Sequence, residues 1–390
     1  MLLVLAFGLL LLVAVLLSDL AARSILSTSV LFLVAGFVLG DGVAGLLHFQ
    51  AGHPVELFLE LALFVVLYSD GMRIGFRELS AGWKLSARAL ILGMPLTFLF
   101  MSVLIKFFMG LGWEYCLLAA AALSPTDPVL VSAIVGRREI PQELRHLLNV
   151  ESGFNDGLAL PVVLYLLAQL SSMASAPSEI LLPLGGGVVL GATIPWAAIQ
   201  LERLRVFSVH AEYRSLYAIA VALIVLGASA LLGANIFLAG FSAGISTGSS
   251  SSRLRDDFAA FGELFTELAK LSGLLVFGAL LTPNLLFGNH YQIYLLALLI
   301  LLLARPVALA LSLLGTTLDW PEILTAGWFG PKGFASAVLG LMILQARLED
   351  GAMVVRLLAV VIVASIVLHS STDVLVARWF GRNEARASHR

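Results

Sequence analysis

Apolar residues in this chain run in long blocks separated by short clusters of charge, glycine and proline. A bilayer-crossing helix needs about 20 largely apolar residues, and somewhat fewer where it is broken or tucked into protein. That rule predicts about thirteen helical segments, near 2–17, 27–46, 55–71, 87–110, 114–136, 145–172, 178–200, 215–232, 234–248, 262–282, 290–315, 321–345 and 353–379. The first block is apolar from Leu2 and lacks both a basic start and a small-residue cleavage pattern before Ser18, so it reads as a span rather than a signal peptide. Between Arg253 and Lys270, charges alternate with Phe258, Phe261, Leu264 and Phe265 at helical spacing, which predicts an amphipathic linker along the membrane surface joining two halves.

Composition strengthens the membrane reading. Sixty per cent of the residues are hydrophobic and 12% charged, with mean hydropathy +1.00, more apolar surface than a water-soluble fold covers. The formal net charge of −2 supplies no basic field for nucleic acid. One cysteine, Cys116, leaves no intramolecular disulfide and no cysteine cluster for a metal.

Lys and Arg concentrate in alternate connections, at Arg23, then Arg73, Arg77, Lys84 and Arg88, then Arg137, Arg138 and Arg145, then Arg203, Arg205 and Arg214, then Arg253 and Arg255. Because cytoplasmic loops retain positive charge, this predicts an inner-membrane protein with its N-terminus outside and its C-terminus in the cytoplasm. Residues 1–380 read as a single transmembrane domain and 381–390 as a short cytoplasmic tail.

Six ionisable residues inside apolar segments stand out: Asp70, Asp127, Glu151, Asp156, Arg305 and Lys332. Charges within spans are costly and mark a substrate path or a compensated pair. Pro125 and Pro128 around Thr126 and Asp127 should break the fifth segment, and Gly330, Pro331 and Gly333 the twelfth. The spacing of the two breaks makes these helices run in opposite directions, as an inverted repeat requires. In the sixth segment Glu151 and Asn155, and Ser152 and Asp156, form two adjacent helical stripes. Asp127, Asp156, the Ser152 hydroxyl and a freed Thr126 carbonyl are together an oxygen donor set for a hard monovalent cation, which would compete with a proton for one carboxylate.

The run Thr126, Asp127, Pro128 followed by Glu151, Ser152, Asn155 and Asp156 resembles the NhaP-type and eukaryotic sodium/proton exchangers of the monovalent cation/proton antiporter family. The likeness covers essentially the whole chain. It implies an all-α fold with a six-helix core, near 55–172 and 262–379, in which the two broken helices cross, a dimerisation domain from the remaining helices, and a homodimer. It implies Na+/H+ antiport serving Na+ and pH homeostasis, without enzymatic activity and without a cofactor. Carried over residue by residue, Asp156 is the ion and proton carrier, Asp127 and Thr126 flank it, and Ser152 adds an oxygen. Asn155, where electrogenic relatives carry a second aspartate, implies electroneutral exchange of one cation for one proton. Glu151 would pair with Arg305, and Asp70 with Lys332. The pattern carries arginine at position 332, and lysine there lacks the planar fork that grips a carboxylate at two points.

K+/H+ exchange is the nearest alternative, since the same oxygens bind either ion. A sodium-coupled solute symporter would need a pocket for an organic substrate. An intramembrane protease is disfavoured because no Gly-x-Gly-Asp lies in a span, and the Gly240–Gly244 stretch GFSAG fits close helix packing better than a nucleophile.

Overall fold

The computed structural model describes residues 2–17, 27–47, 53–73, 83–127, 131, 135, 137, 139–171, 176–204, 210, 213–250, 252–288 and 291–388. Pro128, His290, Arg23, Arg77, Arg138, Arg205 and Arg390 lie outside the described residues. Among the described residues every regular element is a helix. In chain order these are α1 (Leu2–Leu16), α2 (Thr28–Leu39), α3 (His53–Arg73), α4 (Trp83–Met109), α5 (Trp113–Ala122), α6 (Gln142–Leu170), α7 (Pro177–Glu202), α8 (Arg214–Leu231), α9 (Ile236–Ser250), α10 (Ser252–Leu280), α11 (Tyr291–Ser312), α12 (Trp320–Trp328), α13 (Phe334–Gln345) and α14 (Gly351–Ser388). A single helical turn, Pro283–Phe287, precedes α11.

Six of them, α4, α6, α7, α8, α11 and the Gly351–Thr372 part of α14, are long and apolar enough to cross a bilayer. In lipid the backbone must satisfy its own hydrogen bonds, so these blocks have no alternative to the helix. Their ends follow local chemistry. Gly110, at φ +68°, stops α4 in the left-handed conformation that glycine tolerates, its N–H returning to the Lys106 carbonyl. Asp319 and Glu322 form a capping box that starts α12.

The C-terminal half of α5 is deeply buried, with Leu118, Ala119, Ala120 and Ala122 fully enclosed. It lies in one apolar core with residues of α3, α4, α10, α11, α13 and α14. A second cluster joins α3 to α8, α9 and α10 through Phe64, Tyr68, Met72, Val221, Ala243 and Phe258. Helix α9 packs backbone to backbone on α3: a Cβ on Gly244 would strike the Tyr68 carbonyl, and one on Gly71 would sit 2.5 Å from the Phe241 carbonyl oxygen. The GFSAG stretch is therefore part of a helix-packing stripe.

The expected surface linker is not a separate element. Residues 252–280 form one uninterrupted helix, α10. No proline falls in this stretch, so the amphipathic stripe runs straight on into the apolar one. Leu254 and Phe258 are one turn apart, as are Thr266 and Lys270, and all four are buried. At the other end of the chain, α14 continues through the expected tail as far as Ser388.

Candidate functional site

Two interrupted segments meet at the centre of the molecule. The first is the non-helical stretch after α5, where Ser124 to Asp127 lack helical pairing. The second is the non-helical stretch from Phe329 to Gly333 between α12 and α13. Pro125 and Pro331 cannot donate backbone hydrogen bonds, which leaves carbonyls and helix ends to be satisfied by other groups. They satisfy one another. The Asp127 N–H donates to the Pro331 carbonyl at 2.8 Å, and the Phe334 N–H, at the start of α13, donates to Asp127 Oδ2 at 3.3 Å. Lys332 Nζ donates to the carbonyls of Ser124 and Pro125, each at 3.4 Å. An acid thus sits at the N-terminal end of α13 and a base at the C-terminal end of α5, each facing the complementary pole of a helix dipole.

Glycine permits this approach. A Cβ on Gly333 would collide with the Asp127 carboxylate, and one on Gly330 with the Arg305 guanidinium. Helix α14 braces the second break from behind. The Lys332 N–H donates to Ser365 Oγ at 2.7 Å, Ser365 Oγ lies 3.1 Å from His369 Nδ1, and His369 Nε2 lies 2.8 Å from the Trp328 carbonyl oxygen. The buried imidazole also packs on the Trp328 ring, with centroids 4.9 Å apart.

Helix α6 presents the remaining candidates. Arg305, in α11, grips Glu151 at two points, Nη1 to Oε1 at 2.7 Å and Nη2 to Oε2 at 2.9 Å. Its Nη2 also donates to the carbonyls of Ala326 at 3.3 Å and Phe329 at 3.5 Å. One side chain therefore ties α6 and α11 to the C-terminal end of α12. Asn155 Nδ2 donates to Thr126 Oγ1 at 3.2 Å, linking α6 to the first break. Ser152 turns its proton to its own helix, donating to the Asn149 carbonyl at 3.4 Å. Asp156 is 4% exposed, and its Oδ1 has no hydrogen-bond partner among the described residues. It lies within Coulombic range of Asp70, Asp127, Lys270 and Lys332.

Two expectations are corrected here. Asp70, whose expected partner was Lys332, instead has Lys270 Nζ at 3.8 Å from its Oδ2. Lys332 is drawn to the carbonyls at the end of α5, where its point charge meets a helix pole. Lys270 itself, expected on the membrane surface, is 3% exposed and reaches to 4.0 Å from Asp127 Oδ1. The signal that would have placed it was its position inside the apolar stretch of 262–282, one turn after Thr266.

Among the described residues the buried set therefore holds four acids, Asp70, Asp127, Glu151 and Asp156, and three bases, Lys270, Arg305 and Lys332. The charges cancel to within one. Buried polar atoms are almost always paired, yet both Asp70 oxygens, Asn155 Oδ1, Asp156 Oδ1 and Lys270 Nζ make no hydrogen bond among the described residues. Among those residues no three His, Cys, Asp or Glu side chains converge as they would around a resident metal ion. The arrangement instead sets a carboxylate oxygen that is unbonded among the described residues beside scattered hydroxyl, amide and carbonyl oxygens, chemistry suited to transient binding of a small hard cation or a proton.

The sequence profile described as "Sodium/hydrogen exchanger, transmembrane" matches residues 8–379. The K(+)/H(+) antiporter NhaP2 of Shewanella sp. (strain ANA-3) is 26% identical over 384 residues, which cover 94% of this chain and 65% of that protein. The K(+)/H(+) antiporter NhaP of Alkalimonas amylolytica is 24% identical, with 96% of this chain and 66% of that protein covered. This chain thus spans slightly less than two thirds of those relatives' length. Among solved structures, the sodium proton antiporter MjNhaP1 from Methanocaldococcus jannaschii at pH 8 superposes with a TM-score of 0.80 at 20% identity, over 97% of this chain and 96% of the other. At that identity the likeness establishes the fold.

Proposed function

The chain belongs to the sodium/hydrogen exchanger family, and from that premise we propose that it is a secondary antiporter exchanging one monovalent cation for one proton at Asp156. The observation that carries the reading is the formal surplus of one negative charge among the described buried residues, together with Asp156 Oδ1, which has no hydrogen-bond partner among them. A core with one surplus negative charge is neutralised by one Na+, one K+ or one proton, and by nothing of higher charge. Neutralised, it moves through apolar surroundings at far lower cost than when charged. Exchange is then electroneutral, because the loaded and the protonated carrier move and the empty one does not.

In this mechanism the cation enters the polar crossing, displaces the proton from Asp156 and takes oxygens from Asp127, Thr126 and Ser152. Asn155 holds Thr126 in place. The Glu151–Arg305 pair keeps α6, α11 and α12 moving as one body. The halves built around α5 and α12–α13 are the two arms of an inverted repeat, the helices outside the core form the dimerisation face of a homodimer, and the N-terminus lies outside the cell membrane. Na+ is the first reading for the cation. K+ is the second, favoured by the K(+)/H(+) names of the relatives that cover most of this chain.

The test is reconstitution into liposomes carrying a pH gradient and a pH-sensitive dye, with Na+, K+ or Li+ added at several clamped voltages. Voltage-insensitive proton movement that follows an alkali cation and is absent in Asp156→Asn supports the proposal. Proton movement that persists in Asp156→Ala would sink the carrier assignment, and no response to any alkali cation would return the question to solute symport.

A further inference from the structure

We propose that Lys270 is a charge-setting residue of the exchange site, a tethered counter-cation that lets a single monovalent cation or proton neutralise the core. The inference rests on the antiport reading and adds to it the residue that fixes the charge of the cargo.

Its environment differs from that of a structural ion pair. The Glu151–Arg305 pair in the same core is closed and bidentate, at 2.7 and 2.9 Å. Lys270 Nζ is held between two carboxylates on different elements, 3.8 Å from Asp70 Oδ2 and 4.0 Å from Asp127 Oδ1, and hydrogen-bonds to neither. Asp70, with 1% of its surface exposed, leaves both oxygens without a hydrogen bond among the described residues. An ammonium on a four-carbon stem, centred between two acids and bound tightly to neither, compensates charge without locking geometry. It can lean toward Asp70 when a cation approaches Asp127 and return when the cation leaves.

The arithmetic of the core gives this position its weight. Among the described residues, with Glu151 and Arg305 neutralising each other, Asp70, Asp127 and Asp156 face Lys270 and Lys332, and a formal surplus of one negative charge remains. Without Lys270 two would remain. One bound cation would then leave the core charged, and a charged core is costly to move past apolar helices. The same extra charge would hold the cation more tightly while it stayed. The two effects push affinity and turnover in directions that a merely structural lysine does not couple.

The experiment measures apparent KM for Na+ and K+ and maximal rate in proteoliposomes, per folded protein measured by gel filtration, for wild type, K270Q and K270Q/D70N. K270Q is expected to lower both KM and maximal rate by about tenfold or more, the electrostatic effect of deleting a unit charge at such distances in a buried site. K270Q/D70N, which restores the surplus of one, is expected to recover most of both losses. A K270Q protein with KM unchanged or raised, or a double variant no better than the single one, overturns the inference and leaves Lys270 as a packing residue. If K270Q fails to fold, D70N alone gives the mirror test: its empty core is neutral, so KM should rise by about tenfold, and an unchanged KM overturns the inference. An active wild type with an indifferent K270Q defeats this inference alone, whereas an inactive wild type defeats the antiport reading and this inference with it.

Discussion

The Glu151–Arg305 pair offers the most direct quantitative test of how this core is held together. Glu151 is 1% exposed and Arg305 7%, and the two are joined by two short hydrogen bonds. In Glu151→Gln the guanidinium stays buried and charged, with one amide oxygen and the long contacts to the Ala326 and Phe329 carbonyls in place of a carboxylate. Removing one partner of a buried pair costs about 3–5 kcal/mol, because the other charge is left uncompensated. For a chain of this size that corresponds to a fall in the unfolding midpoint of about 4–6 °C. Arg305→Met should fall by a similar amount, and Glu151→Gln/Arg305→Met should recover at least half of either loss, since no buried charge is then stranded. Thermal unfolding in detergent, followed by tryptophan fluorescence and by the fraction remaining monodisperse, gives the three midpoints. A single variant within about 1 °C of wild type would refute the reasoning, as would a double variant equal to the sum of the singles, because independent losses of that kind mean that the two charges do not compensate each other.

Gly333→Ala places a methyl group into the Asp127 carboxylate, so the two breaks must separate; exchange in liposomes should fall at least about tenfold while the protein still elutes as a folded species. Ser152→Ala should raise the cation KM less than threefold, roughly the effect of losing one neutral donor already turned to its own helix, and a loss as large as that of Asp156→Asn would make Ser152 an obligatory ligand. Because cation and proton compete for one carboxylate, apparent KM should climb as pH falls while maximal rate at saturating cation holds; a falling maximal rate at constant KM would point to separate sites.

The sequence alone determined the class of the molecule and most of its chemistry. Apolar blocks of bilayer length permit only helices, prolines mark where those helices break, and ionisable residues inside apolar stretches mark the costly positions. These signals are local, and each can be read within a few residues of where it acts. Asp127, Glu151, Asp156, Arg305 and Lys332 were all legible for that reason. What joins them was not. That Arg305 grips Glu151 across 154 positions of chain, that the Pro331 carbonyl accepts from Asp127, and that His369 braces the second break from α14 depend on how helices pack. Lys270 shows the limit most clearly. Its flanking residues fit a membrane-surface helix and a buried one equally well, and pattern alone assigned it to the surface. Packing of α2 and α3 against α10 turned its stripe inward, set it between Asp70 and Asp127, and took Asp70 from the partner the sequence had suggested. Charge at the site is a sum over residues from distant segments, so the surplus of one could be counted only once the helices had been brought together.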